Sequence, residues 1–184
     1  CEKPIAGSYA DGKAMVQAAR RTGRKLSTQL ATLFSVETKA AQRLIKEGYL
    51  GELYYAKSVG YRRRGRPYVD GYGTSSFVQR KVAAGGALFD MGVYHIGQML
   101  HLLGNPQVVT VSGATHQAIP MYEDRQKGGH YDVEELGLGF VRLAGGVTFT
   151  IEERWALHTN EKGPGSQIFG SRGGLCLSPF SYYT

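Results

Sequence analysis

Residues 85–104 read GGALFDMGVYHIGQMLHLLG, and this stretch predicts a glycine loop that leads into a buried helix. With about 100° between successive helical residues, one narrow stripe is polar or small; its members are Asp90, Tyr94, Gly97 and His101. The apolar residues cover the opposite side: Leu88, Met91, Ile96, Met99, Leu100, Leu102 and Leu103. Glycines and an aromatic on the polar side are unusual for a helix that faces water, so the pattern predicts a lined cavity.

The same stretch has a second interpretation without a site. Asp90 would then cap the helix, Tyr94 would pack, and the glycines would allow close contact with a neighbour. Spacing does not decide between the two. His95 lies about 100° further round the helix than Tyr94, within the apolar arc, where a hydrogen-bonded core histidine is the expected role rather than a ligand.

Composition limits the class of protein. The chain has 184 residues, of which 42% are apolar, and this is typical of one globular domain or slightly more. No apolar run reaches the roughly 18 residues that a membrane span needs, and we expect no signal peptide. Cys1 and Cys176 are too far apart to indicate a disulfide framework or a metal site. We expect a soluble protein of a reducing compartment, the cytoplasm.

The net charge of +7 and the basic run Arg62, Arg63, Arg64 and Arg66 raise the possibility of nucleic-acid binding. Elsewhere the basic residues are dispersed among acidic ones. Because no helix-turn-helix, zinc-finger or RNA-recognition signature accompanies the run, nucleic acid is a minor alternative as a partner. The run is equally compatible with a pocket rim or a solvated face.

The chain begins with a pattern of helix, strand and helix. A helix is predicted from Asp11, as its cap, to Arg21, with Gly23 as its end. A buried strand is predicted at Leu26–Phe34, followed by a helix at Val36–Glu47 that Ser35 caps and Gly48 ends.

After the second helix the sequence becomes rich in strands. Five are predicted, at Glu52–Tyr61, Val108–Ala114, Val133–Leu143, Val147–Trp155 and Gln167–Leu177. The short connection Leu143–Gly146 predicts a hairpin. The expected fold class is therefore α+β: an open, mostly antiparallel sheet with helices on one face, preceded by the last α/β unit of another domain.

One acidic residue interrupts an apolar strand face. Val147, Phe149, Ile151 and Trp155 share a face, and Glu153 lies among them. A buried, unpaired carboxylate is costly, so we expect Glu153 to be paired, to lie at a sheet edge, or to be accommodated by a bulge. These roles are preferred to catalysis.

Two separated motifs resemble one family. Glu2-Lys3-Pro4 resembles the Glu-Lys-Pro motif of the Gfo/Idh/MocA oxidoreductases, and Gly85–Tyr94 resembles their Gly-Gly-x-x-x-Asp-x-Gly-x-His element. Three further segments agree in order, at Gly48–Glu52, Tyr131–Glu135 and Gly170–Gly174.

This resemblance implies an organisation. Residues 1–36 would be the C-terminal remnant of a Rossmann domain, and residues 37–184 a substrate-binding domain whose open sheet mediates homo-oligomerisation. The Gly-x-Gly-x-x-Gly turn that would hold a dinucleotide is not in the sequence, and the sequence stops soon after the Gly170–Gly174 segment. We therefore expect both ends to be truncated. The parent would use NAD or NADP to oxidise a sugar or cyclitol.

The resemblance also implies site residues. Lys3, Asp90 and Tyr94 would be catalytic, and Glu2, Lys3 and Pro4 would face the cofactor. The candidate substrate-binding residues are Arg62, Arg64, Arg66, Asp90, Tyr94, His95 and Trp155, and no metal is expected. Tyr94 departs from the commoner histidine, so the base is either Lys3 or Tyr94.

Two other functions remain open at this point. One is an NAD-assisted glycoside hydrolysis on the same scaffold. The other is a non-catalytic module that mediates dimerisation or binds polyanions through the arginine run.

Overall fold

Seven strands form one sheet in this computed structural model, which describes residues 1–159 and 163–184. The strands are β1 (Leu53–Tyr61), β2 (Val108–His116), β3 (Leu136–Leu143), β4 (Thr148–Arg154), β5 (Gln167–Gly170), β6 (Gly174–Leu177) and β7 (Phe180–Tyr183). The helices are α1 (Tyr9–Thr22), α2 (Val36–Lys46), α3 (Arg80–Ala83), α4 (Val93–Leu102) and α5 (Glu123–Gln126). Short 3-10 turns lie at Ala31–Phe34 and Ser75–Val78, and a π turn at Leu88–Gly92 leads into α4.

The sheet order is β2-β3-β4-β1-β5-β6-β7. Only the β1–β4 pair is parallel among these strands, and every other neighbouring pair is antiparallel. The fold class predicted from the sequence, an open and mostly antiparallel sheet, is confirmed.

The core lies between one face of the sheet and the helices α2 and α4. Ala56 of β1, Phe149 of β4 and Ile168 of β5 are neighbours in register and point to this face. They pack with Ala41 of α2 and Met99 of α4, and all five are buried. In the described parts of the chain, no helix is both long enough and apolar enough to cross a membrane.

The N-terminal region differs from the prediction in two details. Ser8, rather than Asp11, caps α1, since its hydroxyl accepts from the Asp11 N–H at 3.2 Å; Gly23 ends the helix with a φ of 64°, as predicted.

The predicted strand Leu26–Phe34 is wrong. A strand needs a neighbour with which to exchange backbone hydrogen bonds. The segment exchanges two backbone hydrogen bonds with Cys1: the Cys1 amino group donates to the Ser27 carbonyl, and the Gln29 N–H donates to the Cys1 carbonyl. Two bonds with a single residue do not make a neighbouring strand. The last residues of the segment form a 3-10 turn instead.

The strand-rich block follows the prediction closely. The β3–β4 hairpin is confirmed. Gly145 and Gly146 in its turn have φ of 84° and 87°, values that residues other than glycine rarely adopt. The predicted single strand Gln167–Leu177 is two strands, β5 and β6, joined by a turn. The last strand, β7, was not predicted.

Candidate active site

Lys3 and Asp90 form an ion pair that joins the N-terminal segment to the π turn. Lys3 Nζ donates to the Asp90 carboxylate Oδ1 at 2.9 Å and to the Asp90 carbonyl at 2.6 Å. The side chains remain 16% and 22% exposed, so the pair is accessible from outside the protein. Two residues that are far apart in the sequence are thus brought into direct contact.

The second carboxylate oxygen of Asp90 is held from the sheet side. Trp155, which follows β4 and is fully buried, donates from Nε1 to Asp90 Oδ2 at 3.0 Å. Arg62 Nη1 lies 3.8 Å from the same oxygen. Asp90 is therefore fixed by a lysine, an indole and an arginine, and it does not serve as the helix cap of the alternative interpretation.

Glu134 provides the capping contacts at the start of this element. Its carboxylate accepts from the Gly86 N–H at 2.8 Å and from the Leu88 N–H at 3.0 Å. A side chain at Gly86 would overlap the Glu134 backbone, so this position requires glycine. The sequence analysis did not predict a role for Glu134. The signal for it was its position in Tyr131–Glu135, one of the segments that resemble the family.

Tyr94 lies one turn beyond Asp90, at the start of α4. Lys3 Nζ lies 4.9 Å from the centre of its ring, within the range of a cation–π interaction. The Thr32 hydroxyl donates to the Tyr94 carbonyl at 3.3 Å. Lys3, Asp90 and Tyr94 therefore form one cluster.

Lys3 and Asp90 line two cavities. The smaller has a volume of about 320 Å³, and its wall includes Pro4, Ala6, Gly7, Ala84, Gly85, Phe89 and Trp155. The larger has about 900 Å³, and its wall includes Thr32, Tyr61, Arg62, Tyr94, His95 and Ser178. The ion pair thus stands where a small, mainly apolar cavity meets a larger, more polar one.

The three arginines proposed for the pocket rim have separate environments. Arg62 lines the larger cavity and donates to the Tyr72 hydroxyl at 2.6 Å. Arg64 is exposed and contacts His158 at 3.3 Å, outside the described cavity walls. Arg66 is fully buried, so its predicted place at the rim is corrected.

Arg66 is buried because acidic groups surround it. It donates to both carboxylate oxygens of Asp70, at 3.2 and 3.0 Å, and to Glu135 at 3.3 Å. Burial alone would lower the pKa of Arg66, but the hydrogen bond to Asp70 and the charges of Asp70 and Glu135 raise it above its ordinary value. Arg66 is a structural residue.

Comparison with known proteins identifies the family. The family model described as GFO/IDH/MocA C-terminal domain matches residues 38–176. The chain belongs to the Gfo/Idh/MocA family. The resemblance seen in the sequence is confirmed.

Among the curated Gfo/Idh/MocA relatives, D-glucoside 3-dehydrogenase of Escherichia coli K12 is 28% identical over 100% of this chain and 53% of its own length. The NADP⁺-dependent scyllo-inositol 2-dehydrogenase IolW of Bacillus subtilis is 31% identical over 60% of this chain and 29% of its own. An E. coli relative named for a different reaction, 2,7-anhydro-N-acetylneuraminate hydratase, is 33% identical over 61% of this chain and 29% of its own. At 53% coverage of the first relative, the chain spans about half the length of the curated proteins it matches.

Solved structures share the fold. An NAD-binding oxidoreductase from Klebsiella pneumoniae matches with a TM-score of 0.80 at 22% identity, over 96% of this chain and 46% of that one. Levoglucosan dehydrogenase, in complex with NADH, matches with a TM-score of 0.77 at 24% identity and the same coverage. At these identities the likeness establishes the fold.

The remaining Gfo/Idh/MocA motif residues lie at different distances from the cavities. Pro4 lines the smaller cavity. Glu2 is exposed and is not part of either cavity wall. His95 is hydrogen-bonded, as its spacing predicted, but it also lines the larger cavity.

Proposed function

We propose that this chain carries the substrate-binding half of an NAD(P)-dependent dehydrogenase that oxidises a hydroxyl group of a sugar or cyclitol. The observation that carries the proposal is the Lys3–Asp90 ion pair, held where the two cavities meet. An alcohol oxidation needs polar groups around one hydroxyl and a hydride acceptor beside its carbon. The two cavities suit these two requirements.

The smaller cavity fits the nicotinamide end of the cofactor. Its wall is built from small residues, among them Ala6, Gly7 and Ala84, together with the rings of Phe89 and Trp155. Small side chains and aromatic faces leave space for a planar ring. Lys3, Pro4 and Gly85 would hold this end, and the bound cofactor would supply the acceptor for hydride.

The larger cavity fits a polyol. Lys3, Arg62 and Tyr94 supply donors and Asp90 supplies acceptors around the same space. A substrate hydroxyl would lie against Lys3 and Tyr94, which we propose as the residues that relay its proton. Asp90 keeps the Lys3 ammonium in place, and Trp155 in turn keeps Asp90 in place.

The domain division at residue 36 remains part of this proposal. Residues 1–36 would belong to the dinucleotide-binding domain, since they supply Lys3 and Pro4 at the smaller cavity. The free cysteines, of which Cys1 is exposed and Cys176 buried, support a cytoplasmic location, where thiols stay reduced.

We also propose that the open face of the sheet pairs with a second copy of this chain. Leu138 and Phe140 of β3 are exposed on the face opposite the helices. Lys57 of β1 and Glu152 of β4 lie on the same face and in the same surface depression. A two-fold pairing would bring Lys57 of one copy near Glu152 of the other, because both residues lie on the paired face. Light scattering should find a dimer or larger, and Phe140→Glu should yield a monomer.

The protein produced from its native gene tests the activity. It should reduce NAD⁺ or NADP⁺ in the presence of at least one member of a panel of glucosides and inositols, and Lys3→Met should lower the rate about 10²-fold or more. Absence of cofactor reduction with every polyol would overturn the proposal.

A net hydrolysis or hydration is the second candidate, supported by the hydratase among the relatives. Product analysis separates the two, since a glycoside would be cleaved or hydrated without net reduction of the cofactor.

A further inference from the structure

The larger cavity contains a histidine that the proposed relay does not use. His95 follows Tyr94 in α4, and its side chain is 30% exposed in the cavity wall. Its Nδ1 lies 2.9 Å from Oε2 of Glu153. A histidine that meets a cavity on one side and a carboxylate on the other is a common arrangement for acid–base chemistry.

Glu153 is built into the sheet behind this histidine. Its side chain is fully buried on the face covered by the helices. The other carboxylate oxygen, Oε1, accepts from the Ser58 hydroxyl at 2.8 Å. Both oxygens of Glu153 are therefore occupied, which offsets the cost of burying the group. The pairing expected for Glu153 from the sequence is confirmed.

Two glycines leave room for this pair. A side chain at Gly60 of β1 would overlap both the Glu153 carboxylate and the His95 ring. A side chain at Gly92 would lie 3.0 Å from Glu153 Cγ, closer than ordinary packing allows. Glycine within a strand often marks a close approach of other groups, and here the groups are the histidine and its carboxylate.

The hydrogen bond sets the chemistry of the ring. An ionised carboxylate only accepts, so the Nδ1 of His95 carries the hydrogen toward Glu153. In the neutral ring, Nε2 then keeps a free electron pair. Lys3, by contrast, uses two of its three N–H donors on Asp90, which leaves one for a substrate hydroxyl.

We propose that His95 is the final proton acceptor of this site and that Glu153 is its positioning residue, an inference that rests on the proposed function. The substrate O–H bond breaks with both electrons left on oxygen. The proton reaches Nε2, either directly or through the Tyr94 hydroxyl, and a new N–H bond forms. The imidazolium that results is stabilised by the negative charge of Glu153.

Chemical rescue tests the histidine. In the protein from its native gene, His95→Ala should lower turnover by about 10²-fold or more, the usual range for a lost acid–base group, with a smaller change in KM. Added imidazole should restore part of this turnover. His101→Ala is the matched control, because His101 is on the same helix but contacts Gln42 of α2 at 3.5 Å; it should keep normal turnover and show no response to imidazole.

Ring nitrogen NMR tests the positioning residue independently of turnover. In residues 1–184, the neutral His95 ring should show a protonated Nδ1 and an unprotonated Nε2. Glu153→Gln should weaken that preference and lower turnover without a matching rise in KM, and Glu153→Asp should recover part of both.

The outcomes distinguish the two levels of inference. Near-normal turnover in His95→Ala, or a loss that imidazole does not restore, would overturn the role of His95 while leaving the dehydrogenase intact. A protonated Nε2 in the wild type would overturn the role of Glu153. Absence of turnover in the wild type with every polyol would instead overturn the proposed function, whatever the NMR result.

Discussion

Two clusters in this protein combine a cation with carboxylates, and they differ in how many of their hydrogen bonds are already used. Around Arg66, the guanidinium is fully buried and donates to Asp70, Glu135 and two backbone carbonyls. Around Lys3, the lysine side chain is 16% exposed, and its ammonium group pairs with an aspartate that lines two cavities. The first cluster is closed, whereas the second is open to a ligand.

The difference separates stability from function. A closed cluster ties loops to the sheet, since Glu135 also accepts from the backbone N–H groups of Ala118 and Ile119. An open cluster holds charged groups where a substrate could reach them, and such groups contribute less to folding. Changes in the two clusters should therefore affect different measurements.

The largest effect should follow from opening the closed cluster. Arg66→Met leaves Asp70 and Glu135 buried without their cation, and breaking a buried ion pair in this way costs about 3–5 kcal/mol. Denaturant unfolding measures the loss. Arg63→Met, which changes an exposed neighbour in the same run, is the control and should leave stability unchanged. Equal stability of Arg66→Met and wild type would show that the cluster is not structural.

The open cluster should show the opposite behaviour. Lys3→Met removes the charge at the junction of the cavities, and turnover should fall about 10²-fold or more, while the free energy of unfolding changes little. Steady-state kinetics and denaturant unfolding of the same variant measure both. Lys25→Met, at an exposed position, is the control. If Lys3→Met kept near-normal turnover, the site assignment would be wrong and the Gly85–Gly104 element would be a packing element.

Arg62 and Arg64 belong to the same basic run but differ in whether they line the larger cavity. Arg62 lines the larger cavity, so Arg62→Ser should raise KM about tenfold, the range expected for one hydrogen bond to a charged group, and change turnover less. Arg64→Ser is its matched control and should keep the wild-type KM. Equal effects of the two changes would indicate a general effect of surface charge.

Much of the fold was predictable because it depends on local patterns. Periodicity located α1, α2 and strands β1 to β4, and the Gly145–Gly146 pair located the hairpin. The strand predicted at Leu26–Phe34 failed because a strand exists only with a partner, which local sequence does not report. The π turn at Leu88–Gly92 is likewise set by long-range contacts, such as those with Glu134 and Trp155.

The candidate site was predictable only in part. Lys3, Asp90 and Tyr94 came from two motifs, and the structure brings them together. Arg62 and Arg66 look alike in the sequence, and only their partners separate them, because Asp70 and Glu135 reach one and not the other. Glu153 was recognised as needing a partner, but spacing alone did not show that this partner would be a histidine in a cavity wall.

The smallest predicted effect returns to the closed cluster and concerns pH. The hydroxyl of Tyr131 is buried and lies 3.4 Å from the Glu135 carboxylate. Burial, helped by the negative charge of Glu135, raises the pKa of Tyr131 in the folded protein. Because the folded-state pKa exceeds the unfolded value of about 10, the stabilisation is complete below that pH and is lost as the pH rises further.

Tyr131→Phe should cost about 1 kcal/mol at neutral pH but make stability decline less steeply in alkali. Urea unfolding from neutral to strongly alkaline pH measures the slope. Tyr9→Phe, at a largely exposed tyrosine, should keep the wild-type slope. If Tyr131→Phe also kept that slope, Tyr131 would not be the group whose ionisation lowers stability in alkali.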